Sequence, residues 1–546
     1  MKDLNVEIKN CLKESIQKAF DYDAEKEIIV EIPKDKNHGD YASSVAMKLA
    51  RVLHKSPLDI AKTLLPILSE YSFLEKIEIA GPGFLNFCIK KVNLSGLLHD
   101  ILTEKEKFGS SNFGNNEKIM VEYVSANPTG DLHLGHARGA AYGDTLTRIL
   151  SFVGYDVLRE YYVNDAGNQI EVLGNSLYER YKQALNLDFD LEKIGYQGKD
   201  VIKLAKEIAK KDGDKWINDD SEERKEYFKD IGISLELEKI KKDLDLYRVH
   251  FDHYQSERAL YREGKVKKAL EVIKNTPYCY EKDGATWLKT TEFGDDKDRV
   301  LIKSDGSYTY FTPDIAYHKD KFDRGYTKLV DILGADHYGY IARLKAGIKI
   351  MGYNPDNLEV KMIQIVRLME NGEEVKMSKR TGNAVTIREL CEDVGVDVAR
   401  YFFISKPIIS HLDFDLILAR NQSSENPVYY IQYAYARMCS ILKKESDYEI
   451  KESYPLLTNE KEVSLIKHLG ELKNILIDIA RVKEVNILCN YAYKLAQLFH
   501  SYYNDLKIID ESNKELTKER LALVESCHIV LKTVLNLLGC EAKESM

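Results

Sequence analysis

Residues 121–139 read VEYVSANPTGDLHLGHARG. The run Ile119–Ser125, IMVEYVS, is rich enough in apolar and β-branched residues for a buried strand. SANPTGDLH is dense in turn formers and makes a loop. Helix spacing follows at Tyr142, Leu146, Ile149 with Leu150, and Val153, and Gly154 stands where a helix stop belongs. DVLREYYV, from Asp156, is again a strand. Strand, loop, helix and strand within about 45 residues form one parallel βαβ unit.

His133, Gly135 and His136 fall where the first strand has ended and the helix begins. A helix start offers unpaired N–H groups and the positive end of the dipole, so it attracts phosphate. Gly135 lets a flat ring such as adenine approach the backbone. Two imidazoles three residues apart would face one ligand and donate to oxygens that gain charge when a phosphorus centre is attacked. The plainer reading is that two histidines at a helix start simply cap it. The turn Asn127-Pro128-Thr129-Gly130 and the place after a strand favour the ligand, because open parallel sheets bind ligands beyond their strands' C-terminal ends.

Outward from this unit, NDAGN at 164–168 leads into a helix with Ile170, Leu173, Leu177, Tyr181 and Leu185 on one face. Residues 188–275 are highly charged and helical in pattern, which suggests an insertion between two halves of a sheet. TWLKTT, RVLIKSD and YTYFT return to strand texture, and LVDILGADH is a buried strand ending in polar residues. IQIVRL is strand-like, and beyond residue 420 one helix follows another. Before the unit, helices at 1–20, 42–53 and 60–68, a β-like stretch at 28–32 and the strand–turn–strand IEIAGPGFLNFCI make a small α+β unit. A charged helix over 94–107 follows it, and FGSSNFGNN is the best linker candidate. No internal repeat is visible. The expected fold class is α/β: a parallel-sheet core, an N-terminal α+β domain and a C-terminal helical bundle. The expected domains are 1–105, 116–420 with the insertion at about 188–275, and 421–546.

At 546 residues the chain has room for about three or four domains. Hydrophobic residues at 44% and charged residues at 31% exclude a mostly disordered chain. No apolar run is read as approaching the roughly 20 residues of a membrane span, and MKDLNVEIKNCLKESIQKAF is no signal peptide, so cytoplasm is expected. The net charge of −9 removes whole-chain attraction for a polyanion, so any nucleic-acid contact rests on local groups. The 8 cysteines never form CxxC, which argues for reduced, mostly buried thiols and against zinc.

A second site lies in EEVKMSKRTGNAV, where Lys376, Lys379 and Arg380 share a loop with Met377 and Ser378. Lysines on such a loop can close over a triphosphate and neutralise departing pyrophosphate. Alone, the cluster is more simply a solvated basic turn.

Together, HLGH and KMSKR resemble the signature pair of class I aminoacyl-tRNA synthetases. SANPTGDLHLGHARGAAYGD, REYYVNDAGNQI, NPVYYIQYAYAR, HGDYASSVAMKLA and GPGFLNF extend the likeness over nearly the whole chain, to the arginyl-tRNA synthetases. The resemblance implies L-arginine, ATP with Mg²⁺, and tRNA(Arg), with no membrane and a monomeric chain. It implies a Rossmann-like catalytic core, an N-terminal tRNA-binding domain and a C-terminal anticodon-binding domain. His133, His136, Lys376 and Lys379 would be catalytic. Gly135, Met377 and Ser378 would join them on ATP. Glu122, Ser125, Ala126, Asn127, His136, Tyr310, Asp314 and Asp336 would hold arginine.

The residues bear on this independently. A guanidinium needs carboxylates for its fork of donors. In YTYFTPDIAYH, Pro313 could start a helix, with Tyr310 and Asp314 one turn apart and pointing the same way. The plainer alternatives are a helix-start acid for Asp314 and an edge-strand surface charge for Glu122. Asp131 stands where the family commonly has Pro, and its charge beside the phosphate site is expected to raise the demand for Mg²⁺. Leu134 replaces a frequent Ile or Val. Tyr429, Tyr430, Tyr433 and Tyr435 beside Arg437 are candidates for stacking on bases, although helical aromatics are usually core. An HxGH adenylyltransferase, another class I synthetase and a tRNA-binding paralogue without catalysis remain the rival readings.

Overall fold

The computed structural model describes residues 4–31, 33, 38–71, 73–89, 96–217, 219–375 and 385–546, with only the backbone course at 4–6 and 336–338. Its central sheet has five parallel strands: β1 (Lys118–Glu122), β2 (Asp156–Val163), β3 (His253–Ser256), β4 (Lys328–Gly334) and β5 (Leu358–Ile363). Their spatial order is β5-β4-β1-β2-β3. The order reverses at β1, so connections leave β1 and β4 in opposite directions. That opens a crevice beyond their C-terminal ends.

Burial on both faces accounts for the texture of β1, where Ile119, Met120, Val121 and Glu122 are all buried. Helix α1 (Leu134–Phe152) crosses from β1 to β2, with Ala137, Ala140, Ala141, Leu146 and Ile149 against the sheet. Gly143 permits its close approach: a Cβ there would lie 2.3 Å from the ring of buried Tyr123.

Helices α2 (Asn168–Ala184), α3 (Lys199–Asp212) and α4 (Glu222–Leu246) make an attached unit around Leu177, Tyr181, Val201, Trp216 and Phe228. The expected insertion at 188–275 therefore needs correction, because β3 lies inside that range and completes the sheet's edge. HYQS is four residues long and partly polar, which suits an edge strand and leaves no apolar run to notice. Helices α5 (Glu257–Arg262) and α6 (Lys265–Lys274) follow it.

TWLKTT and RVLIKSD do contain strands, 285–288 and 299–302, but these pair antiparallel with 279–282 in a separate sheet. YTYFT is not a strand. Tyr308 makes one bridge to Ile302, and α7 (Phe311–Asp323) has already begun. IQIVRL also divides: β5 stops at Ile363, and Val366–Glu370 joins another sheet with 373–374 and 412–415. Fully buried Arg138 of α1 sits at the break, donating to the carbonyls of Gln364, Pro407 and Ser410 at 3.0, 2.9 and 2.8 Å. Helices α8 (Ile341–Ile350), α9 (Ile387–Val394) and α10 (Val396–Ile404) complete this part.

Before the central unit, helices Leu4–Phe20, Val45–Leu53 and Pro57–Leu68 accompany an antiparallel sheet of 30–31, 41–43, 84–89 and 74–80 in that order. FGSSNFGNN is no free linker. Phe108 is buried, a Cβ on Gly109 would meet Leu472, and the Gly114 and Asn116 N–H groups bond Val153 and Gly154. Its turn formers serve close packing. Beyond residue 426 come Pro427–Lys444, Glu460–Gly470, Leu472–Val482, Asn486–Asp505 and Lys514–Leu538. The last of these corrects a sequence expectation: it is long and apolar enough to cross a membrane by length and composition. Its apolarity belongs to the bundle core, where Leu521, Val524, Leu531, Val534 and Leu538 are buried.

Candidate functional site

His133 is the N-cap of α1 and His136 completes a capping box. The Gly135 N–H donates to His133 Nδ1 at 3.2 Å, and the His133 N–H donates to His136 Nδ1 at 3.3 Å. The two Nδ1 atoms thus cap the helix, as the plainer reading expects. Because each Nδ1 accepts, the proton of each neutral ring sits on Nε2, which leaves two N–H donors for a ligand. The rings stack with centroids 3.8 Å apart. A Cβ on Gly135 would lie 3.2 Å from the His133 ring, so the glycine gives that ring its place.

Burial lowers the His133 pKa. Burial and then the neighbouring His133 push His136 down to about 3. Both rings are therefore neutral donors at pH 7. A group with a lowered folded value loses stability as pH falls, because the unfolded chain takes the proton first. For His136 the contribution is complete above 6.5 and declines toward 3. By pH 5 the loss is about 2 kcal/mol. Urea unfolding at pH 7 and pH 5 should show His136→Gln less acid-sensitive than the parent by that amount. Equal sensitivity would mean that His136 titrates normally.

The loop from β1 to α1 is strained. Val124 and Ser125 both have positive φ, 67° and 41°, at a cost of about 1–3 kcal/mol each. Several bonds hold them: Ser125 Oγ donates to Glu122 at 3.0 Å and accepts from the Tyr162 N–H at 3.1 Å. The Ala126 carbonyl accepts from Tyr161 Oη at 2.8 Å, and Asn127 Nδ2 donates to Gln169 at 3.0 Å.

Below this loop lies a group of carboxylates. Glu122 is buried and accepts from Lys321 Nζ at 2.5 Å. It is no edge-strand surface charge. Lys321 of α7 has no exposed surface and also donates to Asp331 of β4 at 2.8 Å. His318 directs Nε2 at Asp331 and Nδ1 at the Asp314 carbonyl, at 2.7 and 2.8 Å. Asp314 accepts a hydrogen bond from Tyr340 Oη. Burial pushes its carboxyl up, partly opposed by that bond. Glu257, the first residue of α5, is 8% exposed. Burial pushes it up to about 7, opposed by a hydrogen bond from Tyr162 and reinforced by Asp314 and Asp165. Among the described residues neither Asp314 nor Glu257 has a cation within ion-pair distance. Half-buried Asp314 raises buried Glu257 and is itself raised by Glu122, which Lys321 already matches, so the site is short of positive charge.

Tyr310 departs from expectation. It caps α7 with its ring 83% exposed, Pro313 is the third helical residue, and the phenol on Asp314 belongs to Tyr340. The Tyr310 backbone is still helical, with φ −57° and ψ −26°, so the departure lies in its side chain, which is turned to solvent. Asp336 lies in the turn Ala335–Tyr340 after β4, and its side chain is outside the described residues. Lys376, Met377, Ser378, Lys379 and Arg380 are also outside them. The exit of that segment is described: Thr386 bridges His133, and the Ile387 N–H donates to the Leu132 carbonyl at 2.8 Å. Asp131 is not left as a bare charge either, because Lys239 Nζ lies 3.3 Å from it.

Tyr162, Glu257, Lys321 and Tyr340 were not singled out from sequence. Glu257 directly follows β3, at a parallel strand's C-terminal end, but that strand gave no run to detect in the sequence. In the C-terminal helices, Tyr435 is core, 2% exposed. Tyr433 and Tyr503 are 39% and 38% exposed. The Arg437 guanidinium lies 4.6 and 4.3 Å from their ring centroids, and Tyr429 stacks beyond Tyr433.

A family model for the catalytic domain of class I tRNA synthetases of the arginine type matches residues 97–403. Models for an arginyl tRNA synthetase N-terminal domain and a DALR anticodon binding domain match 6–89 and 431–546. The arginine--tRNA ligase of Shouchella clausii is 51% identical over 524 residues, 95% of this chain and 94% of that one. That of Bacillus subtilis is 48% identical over 551 residues, 99% of each. The solved Thermus thermophilus arginyl-tRNA synthetase has the same fold, with a TM-score of 0.79, 22% identity and full coverage of both chains.

Proposed function

The chain belongs to the class I arginine–tRNA ligases, and from that premise we propose how its residues divide the work. The reaction joins L-arginine to the 3′-terminal adenosine of tRNA(Arg) with ATP, releasing AMP and diphosphate. First, an arginine carboxylate oxygen attacks the α-phosphorus of ATP. An O–P bond forms, and the bond to diphosphate breaks. The Nε2–H groups of His133 and His136 donate to oxygens that gain charge at that centre. Gly135 and the α1 start receive the nucleotide. Lys376 and Lys379, with Met377 and Ser378 in the same loop, hold the departing diphosphate.

The guanidinium goes to Asp314 and Glu257, with Tyr162 and Tyr340 beside them. Ser125, Ala126, Asn127 and His136 hold the amino-acid end. Glu122 sets the floor through Ser125 and Lys321, Asp336 lies at the crevice, and Tyr310 stands at the rim. Mg²⁺ would be held chiefly by the phosphate oxygens of ATP and screen their charge. Among the described residues no group of three His, Cys, Asp or Glu is arranged to hold a metal. In the second step the terminal adenosine's 2′-OH takes the arginyl group. Domains 1–105 and 421–546 serve the tRNA corner and the anticodon. Tyr433, Arg437 and Tyr503 offer a stacking surface for splayed bases. We assign the protein to the cytoplasm as a monomer.

One observation carries the substrate assignment: a buried and a half-buried carboxylate, Glu257 and Asp314, without a cation among the described residues, beside a helix start suited to phosphate. Diphosphate exchange into ATP, with tRNA(Arg) present, should require arginine among the amino acids. Exchange driven by another amino acid would refute the specificity. Below about pH 7 Glu257 takes a proton and stops pairing, so the arginine KM should rise roughly tenfold from pH 8 to pH 6. A flat KM would remove Glu257 from the pocket.

A further inference from the structure

Asp131 and His133 are two residues apart, so a carboxylate sits beside the proposed phosphate site. Lys239, on α4 and 108 positions further along the chain, faces that carboxylate. Its ammonium lies 3.3 Å from Asp131 and 3.2 Å from Glu236, and it also donates to Asp200 at the start of α3. One helical turn on, Asp243 of the same face pairs with Arg388 at 2.5 Å. Arg388 belongs to the first turn of α9, directly after the segment that holds the lysine signature. That helix start is fastened in turn to Leu132 and His133 through Ile387 and Thr386. One face of α4 therefore touches both sides of the nucleotide site, the approach to α1 and the exit of the signature segment.

We propose that Lys239 is a positioning residue for adenylate formation, cancelling the charge of Asp131 where the triphosphate must lie and fixing the loop that leads into His133. The inference rests on the assignment of the phosphates to the α1 start. Three carboxylates converge on Lys239, and its ammonium stays charged: burial disfavours the charge, but Asp200, Glu236 and Asp131 more than restore it. The Asp131 side chain is 54% exposed, so solvent screens it, but an uncompensated charge at contact range of a polyanion is still unfavourable. Without Lys239, Asp131 would repel ATP without touching the guanidinium pocket.

The test is steady-state diphosphate exchange on the full-length enzyme with tRNA(Arg) present. Lys239→Met should raise the ATP KM about fivefold to tenfold and leave the arginine KM within twofold. Adding Asp131→Asn to that variant should bring the ATP KM back to within twofold of the parent. Lys239→Arg, which keeps the charge, should behave nearly as the parent. An unchanged ATP KM in Lys239→Met, an equal rise in both KM values, or no rescue by Asp131→Asn would each overturn the proposal. If Lys239→Met does not fold, Asp131→Asn alone decides. A masked charge predicts an ATP KM within twofold of the parent, and a fivefold fall would show that Asp131 is not masked. His136→Ala separates the premise from the inference. If it retains full exchange, the phosphates lie elsewhere and the site assignment fails. If it abolishes exchange while Lys239→Met is silent, only the role of Lys239 fails.

Discussion

Asp314→Ala is expected to raise the arginine KM by roughly two orders of magnitude and to leave the ATP KM within twofold. The carboxyl is half-buried at the first turn of α7, bonded to Tyr340, raised by burial and by the charge of Glu122, and itself raises Glu257. A cation entering there relieves that repulsion and gains a charge-assisted pair. Truncating one arm of a buried pair of this kind costs about 2–5 kcal/mol. The effect falls on arginine alone because the imidazoles stand on α1, a different element. Asp314→Asn should recover little, since an amide can accept but carries no charge. Arginine-dependent exchange over a wide concentration range measures it. An unchanged arginine KM would mean that the acid serves only the helix dipole, the plainer reading of a carboxylate at a helix start.

The parallel core was legible because its chemistry is repetitive. β1 and β4 are covered on both faces and show as apolar runs, while the period of α1 points to the sheet. Elements whose environment is mixed were not legible in that way. β3 is a four-residue edge strand, and its polar residues gave no run to detect. YTYFT has strand composition, but Pro313 and Asp314 favour a helix start, and local bonds at Thr309 and Thr312 to Val300 and Leu301 finish the turn instead. Composition reports what a segment tolerates, and tertiary partners decide between the options.

The same limit applied to the site. The histidines and the glycine were visible as a pattern because they lie within four residues of one another. The carboxylates were visible by type, but their partners were not. The phenol on Asp314 comes from Tyr340, 26 positions away, through a turn that spacing does not foretell. Asp131 was read as an added negative charge demanding Mg²⁺, and the structure supplies Lys239 from a distant helix. Lys321 had a signal that went unused: it follows Asp314 by two helical turns and so shares its face of α7.

Lys321→Met should be the most destabilising single change near the pocket. The ammonium has no exposed surface and balances two buried carboxylates, Asp331 at 2.8 Å and Glu122 at 2.5 Å. Methionine fills nearly the same volume, so little cavity is left and the effect isolates charge. Removing one partner of such an arrangement costs about 3–5 kcal/mol, a large part of the roughly 5–15 kcal/mol that holds a typical protein folded. The pH dependence gives the sign. In the parent, burial would raise Asp331, but Lys321 and then His318 more than reverse this and hold its carboxyl well below the usual range. That stabilisation is complete above pH 3.8 and is lost only in stronger acid. In the variant the orphaned acids rise above their unfolded values. Protonation then favours the folded chain, and the deficit should shrink from pH 8 to pH 5. Urea unfolding at both values measures this, and Glu122→Gln added to the variant should restore part of the loss at pH 8. A variant as stable as the parent at pH 8 would mean that Lys321 is not the counter-charge. Glu122 would then be free to take the guanidinium itself, and the division of labour among the three acids would have to be redrawn.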